Sequence, residues 1–411
     1  MKVIVSNPGT GVFILETVKA YAELGLLKSY YTTFASNKDI PYYNFLVSGK
    51  LKIELDRRSV PYDVLSYLKT NPWKEILRTL SSKFLNEKIT DDLYEWSEYS
   101  FDRWVASNLD KSVDIVHCYE HSSLETIKRA KELGIFVVYE QPSQHHSYLT
   151  PIIRAQFKQY PNLGDIQTSL LTNEKSEYRN RRRDDELALA DLILCNSTFT
   201  KSTLVNASID ESKILVLPLG FPEINMRKEL NSQKIRFIYA GTSNIRKGIH
   251  LLLEVWKECF ENNDDVELYI VGRYDLPLIL KEQAPENVVF IDSIPRSELL
   301  NSFCDADVLI VPTLADGFGM VITEAMSRGV CVMCTHNSAG PDLIEHGKDG
   351  LLFPANDKNA LIDMLKEWSL KKDELNQMGK KAIEKAKSYS WTEYRKKLTK
   401  LIIEKFDARK K

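Results

Sequence analysis

Short apolar runs alternate with helix-spaced amphipathic stretches along most of the chain, and they fall into two successive series. The first holds Val3 to Ser6, Asp114 to His117, Phe136 to Glu140, Leu192 to Asn196 and Ile214 to Leu217. The second holds Arg236 to Ala240, Val266 to Val271, Val288 to Ile291, Asp307 to Val311 and Val330 to Cys334. Strand-length runs separated by helical patterns predict parallel sheets with crossover helices. Between the two series lie Pro218-Leu219-Gly220-Phe221-Pro222 and the polar stretch Glu223 to Lys234. A domain boundary is expected there, so the predicted class is α/β, with two doubly wound, Rossmann-like domains facing across a cleft. The region Tyr42 to Asn108 reads as mostly helical. Its Trp73, Trp96 and Trp104 read first as core packing, with an acceptor platform as the second reading.

One stretch of the second series combines all the signals of a phosphate site. Val308 to Val311 is a buried strand, Pro312 ends it, and Leu314 to Gly319 forms a turn with two glycines. Met320 to Arg328 follows as a helix, stopped at Gly329. Free backbone N–H groups at a helix start favour an anion. Asp316 and Glu324 flank that place, and a carboxylate accepts two hydrogen bonds from neighbouring hydroxyls. A surface turn acid and a solvated helix acid would show the same spacing.

The segment PTLADGFGMVITEAMSRG resembles the E-x7-E signature of retaining glycosyltransferases of family 4, which have the GT-B fold. The resemblance implies that Glu324 holds the ribose of a nucleotide-sugar. It implies that Gly317, Phe318 and Gly319, with Met320 and Val321 behind them, meet the donor sugar and diphosphate. Asp316 stands where the family carries its first Glu and is one methylene shorter. Gly241-Thr242-Ser243-Asn244-Ile245-Arg246-Lys247-Gly248 is similar to the family's G-R-L-x-x-x-K-G. Lys247 matches the lysine that stabilises the departing diphosphate. Thr242 replaces the family's Arg, and Arg246 is the candidate substitute cation. Ile291 lies on the strand end that holds the nucleobase in the family.

Further matches spread over most of the chain. Val113-Asp114-Ile115-Val116-His117 resembles a strand ending whose His lies near the donor sugar. Gly9, Thr10 and Gly11 occupy the acceptor-side glycine loop, which is also part of a dinucleotide fingerprint or a plain tight turn. Glu186 to Asp191 followed by Leu192 to Ser197 and Phe199, Gly347 to Leu352, and Ser390-Trp391 fit further family segments. The implied organisation is residues 1–222 on the acceptor side, 223–390 on the donor side, and 391–411 as a helix crossing back to the first domain.

Composition narrows the reading. Of 411 residues 43% are hydrophobic and 27% charged, with a net charge of -2, so no general pull toward nucleic acid is expected. No apolar run reaches membrane-span length, and the N-terminus enters a strand at once. The expected location is therefore cytoplasmic, with peripheral contact to the inner membrane surface allowed. Cys331 and Cys334 form a C-x-x-C inside a strand-like run, where the odd offset sends them to opposite faces as reduced thiols. His145 and His146 are read as pointing apart, and no D-x-D carboxylate pair is positioned to hold an ion, so no metal site is expected. Arg179 to Asp185 reads as a solvated charge run.

The function these features imply is transfer of a sugar from a UDP- or GDP-linked donor to a glycan, lipid-linked or small-molecule acceptor. Cell-surface polysaccharide or glycoconjugate synthesis is the expected setting, with no cofactor. Two other readings stand beside it: a catalytically degenerate nucleotide-sugar-binding or scaffold subunit, and a dinucleotide-dependent oxidoreductase.

Overall fold

The computed structural model describes residues 1–37, 55–81, 87–164, 169, 171–227 and 232–409. The first sheet contains β1 (Val3–Ser6), β2 (Leu27–Thr32), β3 (Leu68–Thr70), β4 (Ile115–Tyr119), β5 (Phe136–Gln141), β6 (Leu192–Cys195) and β7 (Ile214–Val216). Its order is β3-β2-β1-β4-β5-β6-β7, and every neighbouring pair is parallel. The second sheet contains β8 (Ile235–Ala240), β9 (Val266–Val271), β10 (Val288–Ile291), β11 (Val308–Val311), β12 (Cys331–Thr335) and β13 (Leu351–Phe353). Its order is β10-β9-β8-β11-β12-β13, again all parallel. Two Rossmann-like α/β domains result, and every strand read from the apolar pattern is present.

Both sheets are covered on both faces, which is why their strands read as unbroken apolar runs. Val3, Val5 and Ile115 face one core cluster while Ile4, Val116 and Cys118 face another. In the second sheet Leu309 and Val332 point to one side, Ile310 and Met333 to the other. Cys331 and Cys334 separate in the same way, and burial pushes the Cys334 thiol up to about 12.

Three strands escaped the pattern: β2, β3 and the three-residue edge strand β13. In β2, Tyr30 and Tyr31 bury their rings between polar neighbours, so no apolar run forms. The edge strand β3 lies inside the stretch predicted as mostly helical. It pairs with β2 along one side and follows a 3-10 turn, Tyr62–Tyr67, so it carries no helical period. Helices Trp73–Ser81 and Glu87–Ser107 complete the described part of that stretch, and residues 42–54 and 82–86 lie outside it. Trp104 packs on the core, but Trp73 is 73% exposed and Trp96 40% exposed, contrary to the core reading. The helix Trp73–Ser81 turns Trp73, Ile76 and Leu77 outward along one face.

Two helices cross between the domains. Trp391–Arg409 lies on Val12–Glu23, with Tyr394 Oη 3.4 Å from Thr17 Oγ1 and Arg395 bridging Glu16 and Glu23. A Cβ on Gly220 would sit 2.7 Å from Trp391 Cα, so only glycine lets the linker and this helix meet. His146–Gln159 reaches the other way, burying Leu149, Ile153 and Phe157 in the second domain's core. Each such side chain contributes about 1.5–3 kcal/mol by leaving water. Gln156 adds hydrogen bonds to Asn356 (2.8 Å) and His250 (2.7 Å).

Candidate active site

The site assembles where the C-terminal ends of β11 and β8 meet. Asn244 Oδ1 caps the short turn Ile245–Lys247 by accepting from the Lys247 amide at 3.1 Å. Gly248 follows at φ 72°, and a Cβ there would lie 2.1 Å from the Pro312 carbonyl oxygen. Glycine therefore lets the lysine turn press against the segment after β11. The Leu314 amide donates to the Arg246 carbonyl at 2.9 Å, and the Asp316 amide to the Asn337 carbonyl at 2.8 Å.

These contacts bring residues 69 positions apart onto one carboxylate. Lys247 Nζ is ion-paired with Asp316 Oδ2. Arg246 Nη1 stands 3.5 Å from Asp316 Oδ1 and donates to the Ala315 carbonyl at 2.9 Å. Burial pushes the Asp316 carboxyl up, but Lys247 and Arg246 outweigh it and hold its pKa below the ordinary range. Burial lowers the Lys247 pKa, with Asp316 opposing. Two cations and one carboxylate leave a net positive charge beside the glycine turn. Thr242 carries no charge into this group; its carbonyl accepts from Tyr239 Oη at 2.8 Å.

Gly319, at φ 81°, precedes the helix Met320–Met326, whose start has no side-chain cap. Glu324 is on that helix, 5% exposed, and accepts from Arg296 Nε at 2.8 Å. Burial raises its pKa, and Arg296 offsets part of the rise. Phe318 is buried, while Met320 and Val321 are half-buried against the core. Ile291 is half-buried at the end of β10, and its carbonyl accepts from the Gly272 amide at 2.9 Å. Gly272 and Gly241 approach so closely that a Cβ on Gly272 would lie 2.1 Å from the Gly241 oxygen.

The glycine turn is pressed onto the first domain. A Cβ on Gly317 would fall 1.9 Å from the Pro142 carbonyl oxygen. The Gly317 carbonyl accepts from the Ser197 hydroxyl and, at 3.2 Å, from Thr200 Oγ1. Asp342 accepts from the Thr198 amide at 2.8 Å, and Tyr148 Oη receives Asn337 Nδ2 at 2.9 Å. The C-terminal edges of the two sheets thus face each other. The loop Gly9–Gly11 follows β1 on that edge of the first sheet. It is pinned by Tyr30 Oη on the Gly9 carbonyl (2.8 Å) and by Thr33 Oγ1 on the Pro8 carbonyl (2.7 Å).

Three expectations need correction. His117 does not face the cleft. β4 runs on to Tyr119, so His117 is mid-strand and fully buried beneath Val12–Glu23. Its ring nitrogens meet Tyr21 Oη and Glu140 Oε2, both at 3.0 Å. Three of the charge run's arginines are not solvated either, while Arg181 and Asp185 are exposed. Arg179 pairs with Asp91 and Glu95, Arg182 with Asp102, and Arg183 stands 3.7 Å from Glu120. His145 and His146 do not point apart. His145 caps the helix that His146 begins, their rings lie 4.2 Å apart, and both reach Asp184.

Sequence reading also missed partners. Arg296, Thr200 and the buried Glu120, which accepts from Ser143 beside Pro142, are lone polar residues in no motif, whereas Ser197 closes the family-like segment that starts at Glu186.

With this geometry in view, residues 221–385 match the model of glycosyl transferases group 1. The chain is 28% identical over 201 residues to an uncharacterized 41.2 kDa protein in the cps region of Klebsiella pneumoniae, covering 44% of this chain and 54% of that protein. It is 31% identical over 152 residues to the putative colanic acid biosynthesis glycosyltransferase WcaL of Escherichia coli, covering 34% of this chain and 37% of that one. The chain thus spans about half or less of these relatives' length. Superposed on Anabaena Alr3699/HepE, solved in complex with UDP and glucose, it gives a TM-score of 0.63 at 14% identity, covering 98% of this chain and 99% of that one. The fold is GT-B, and the stretch that matches the glycosyl transferases group 1 model, residues 221–385, covers most of the second domain, hence the group 1 domain. In GT-B terms the Lys247–Arg246–Asp316 cluster lies on the group 1 domain's face toward its partner domain, and Ser197, Thr200 and Pro142 form the opposing wall.

Proposed function

We propose that this chain is a retaining, family 4-type glycosyltransferase. It moves a sugar from a UDP- or GDP-linked donor to an acceptor hydroxyl in cell-surface polysaccharide or glycoconjugate synthesis. The observation that carries the reading is the convergence of Lys247, Arg246 and Asp316 on the Gly317–Gly319 turn at the domain interface. As the bond from the sugar's anomeric carbon to the phosphate oxygen breaks, negative charge builds on the diphosphate. Lys247 and Arg246 stabilise that charge from fixed positions in a site shielded from water. These two protein cations supply the electrostatics, so the reading needs no divalent metal in the step. Amides of the glycine turn and helix start orient the phosphates, and Asp316 orients the donor sugar. Glu324, steadied by Arg296, accepts from the ribose hydroxyls. Ile291 and Gly241 border the base side, and Gly9, Thr10 and Gly11 border the acceptor side.

A cytoplasmic place at the inner membrane face suits the outward face of Trp73, Ile76 and Leu77. Among the described residues no helix is long and apolar enough to cross a membrane. Vesicle flotation with and without Trp73→Ala and Leu77→Ala checks that contact.

The test of the activity is a panel of labelled UDP- and GDP-sugars, followed for release of nucleoside diphosphate. Turnover of one donor, abolished in Lys247→Ala and Glu324→Ala, supports the enzyme. Tight binding without turnover would instead identify a scaffold subunit, which the shorter Asp316 and the uncharged Thr242 keep as the second reading. Binding of NAD in preference to any nucleotide-sugar would overturn both.

A further inference from the structure

A cluster outside the proposed sugar-transfer site has the composition of a metal centre. We infer that His145, His146 and Asp184 bind one divalent transition-metal ion, zinc being the best match.

The three donor atoms all lie within 4.8 Å of one another. His145 Nε2 is 3.1 Å and His146 Nε2 2.7 Å from Asp184 Oδ1. Zinc bonds of about 2.0–2.1 Å in tetrahedral array need donor separations of roughly 3.4 Å. Moving the Asp184 oxygen about half an ångström away from the two nitrogens brings both nitrogen–oxygen separations close to that value. Asp184 is able to make that shift, because its side chain is 46% exposed at the surface of the helix Glu174–Leu189. The histidines are held more firmly, with side-chain exposures of 6% and 17%. The exposed side leaves room for water as a remaining ligand.

The supporting shell is present. Ser147 Oγ lies 2.8 Å from His145 Nδ1. As arranged, the Ser147 amide also points at Nδ1 at 3.2 Å, so that Nε2 carries the proton and donates to Asp184. Moving the proton to Nδ1, where Ser147 Oγ accepts it, gives up the cap bond from the Ser147 amide and frees the Nε2 lone pair for a metal. The neighbouring arginines do not oppose a cation with bare charge. Arg182 is paired with Asp102 and Glu186, Arg183 stands 3.7 Å from Glu120, and Arg181 stands 3.8 Å from Glu177. Two imidazoles and one carboxylate favour zinc or cobalt over magnesium or calcium, which take all-oxygen shells.

Its place in the fold gives the ion a structural task. His145 and His146 open the helix that inserts into the group 1 domain, just after Pro142 and Ser143, on which Gly317 rests. An ion there ties this helix start to Glu174–Leu189 and stiffens the wall behind the glycine turn.

The test uses the full chain, freed of metal with a chelator and titrated with Co2+ and Zn2+ by calorimetry and visible absorption. One Co2+ per chain, with d–d bands of a nitrogen-oxygen site, is expected, and Mg2+ should not compete. Asp184→Asn and His146→Ala should lose stoichiometric binding. Ser147→Ala should weaken it by about 10–100-fold, as expected when a supporting hydrogen bond is removed. The exposed His336→Ala should leave it unchanged. Melting curves without metal verify that each variant is folded. Wild-type binding no stronger than that of Asp184→Asn, or binding equal in all the variants, would overturn the inference. None of these readouts depends on sugar transfer.

Discussion

The two walls of the cleft are built in different ways. On the group 1 side, two continuous segments, Gly241–Gly248 and Pro312–Glu324, deliver both cations, the carboxylates and the glycine turn. On the opposing side, Pro142 comes from the loop after β5, beside Ser143 and its partner Glu120, while Ser197 and Thr200 come from the N-cap and first turn of the helix Thr198–Asn206. The first wall concentrates charge for one chemical task. The second carries shape and hydrogen bonds, the arrangement expected where acceptors differ and the donor is fixed. Chemistry that needs several groups within one turn of backbone stays contiguous in sequence, while a complementary surface does not have to.

The largest effect should come from the charged wall. Lys247→Ala should reduce kcat/KM for the donor by about 10²–10³-fold, the range for losing one preorganised donor to developing charge. Its melting temperature should fall as well, since the Asp316 carboxylate keeps only Arg246 as counter-ion, so the comparison is made per folded molecule. A loss smaller than threefold in a steady-state assay would mean that the positive cluster is ornamental to turnover.

Next comes the contact between the walls. In Gly317→Ala the added methyl meets a backbone oxygen at 1.9 Å and cannot be relieved by a side-chain rotation. Donor turnover should fall about tenfold or more, in line with a misplacement of about 1 Å at the reacting centre. X-ray scattering should show a larger radius of gyration. Unchanged scattering together with unchanged turnover would mean that the close approach has no role in closure.

His117 separates the two kinds of role within the first domain. Because it is buried between Tyr21 and Glu140, His117→Ala should cost about 3–5 kcal/mol of stability in denaturant unfolding, as when one partner of a buried pair is removed. Activity per folded molecule should stay close to wild type. The opposite pattern, normal stability with lost turnover, would return His117 to the donor site.

The smallest effect is a pH dependence. Burial raises the Glu324 pKa, so on acidification it becomes neutral at a higher pH than an ordinary glutamate. Protonation removes the ribose acceptor and the ion pair with Arg296. Donor affinity should therefore decline as pH falls, beginning above the usual carboxylate range, and this slope should vanish in Glu324→Gln. Calorimetric titrations across pH 5 to 8, on the order of the window in which such a shift acts, check it.

Alternating apolar runs were enough to place the strands from β4 to β12, because sheets buried on both faces need them. β2 and β3 were hidden because tyrosines and a single paired edge carry no such pattern. Lys247, Asp316 and Glu324 stood out because backbone geometry and charge are set there by neighbours in sequence. Arg246 could be suggested, but only the contact with Asp316 ties it to the cluster. Arg296 and Thr200 had no local signature, since their partners lie 28 and 117 positions away. His117 misled because the apolar pattern ends the strand at its first polar residue, whereas the strand runs on through the buried Cys118 and Tyr119. His145 and His146 misled because alternation holds inside a strand, whereas this pair straddles a helix cap.

The most direct measurement is calorimetric titration of nucleoside diphosphate-sugars into the wild type, Lys247→Ala and Glu324→Gln. The account predicts one site per chain for a UDP- or GDP-sugar, with affinity falling at least about tenfold in Lys247→Ala, as expected for loss of a charge-assisted contact to phosphate. Equal affinity in all three proteins would place the diphosphate elsewhere and contradict the account.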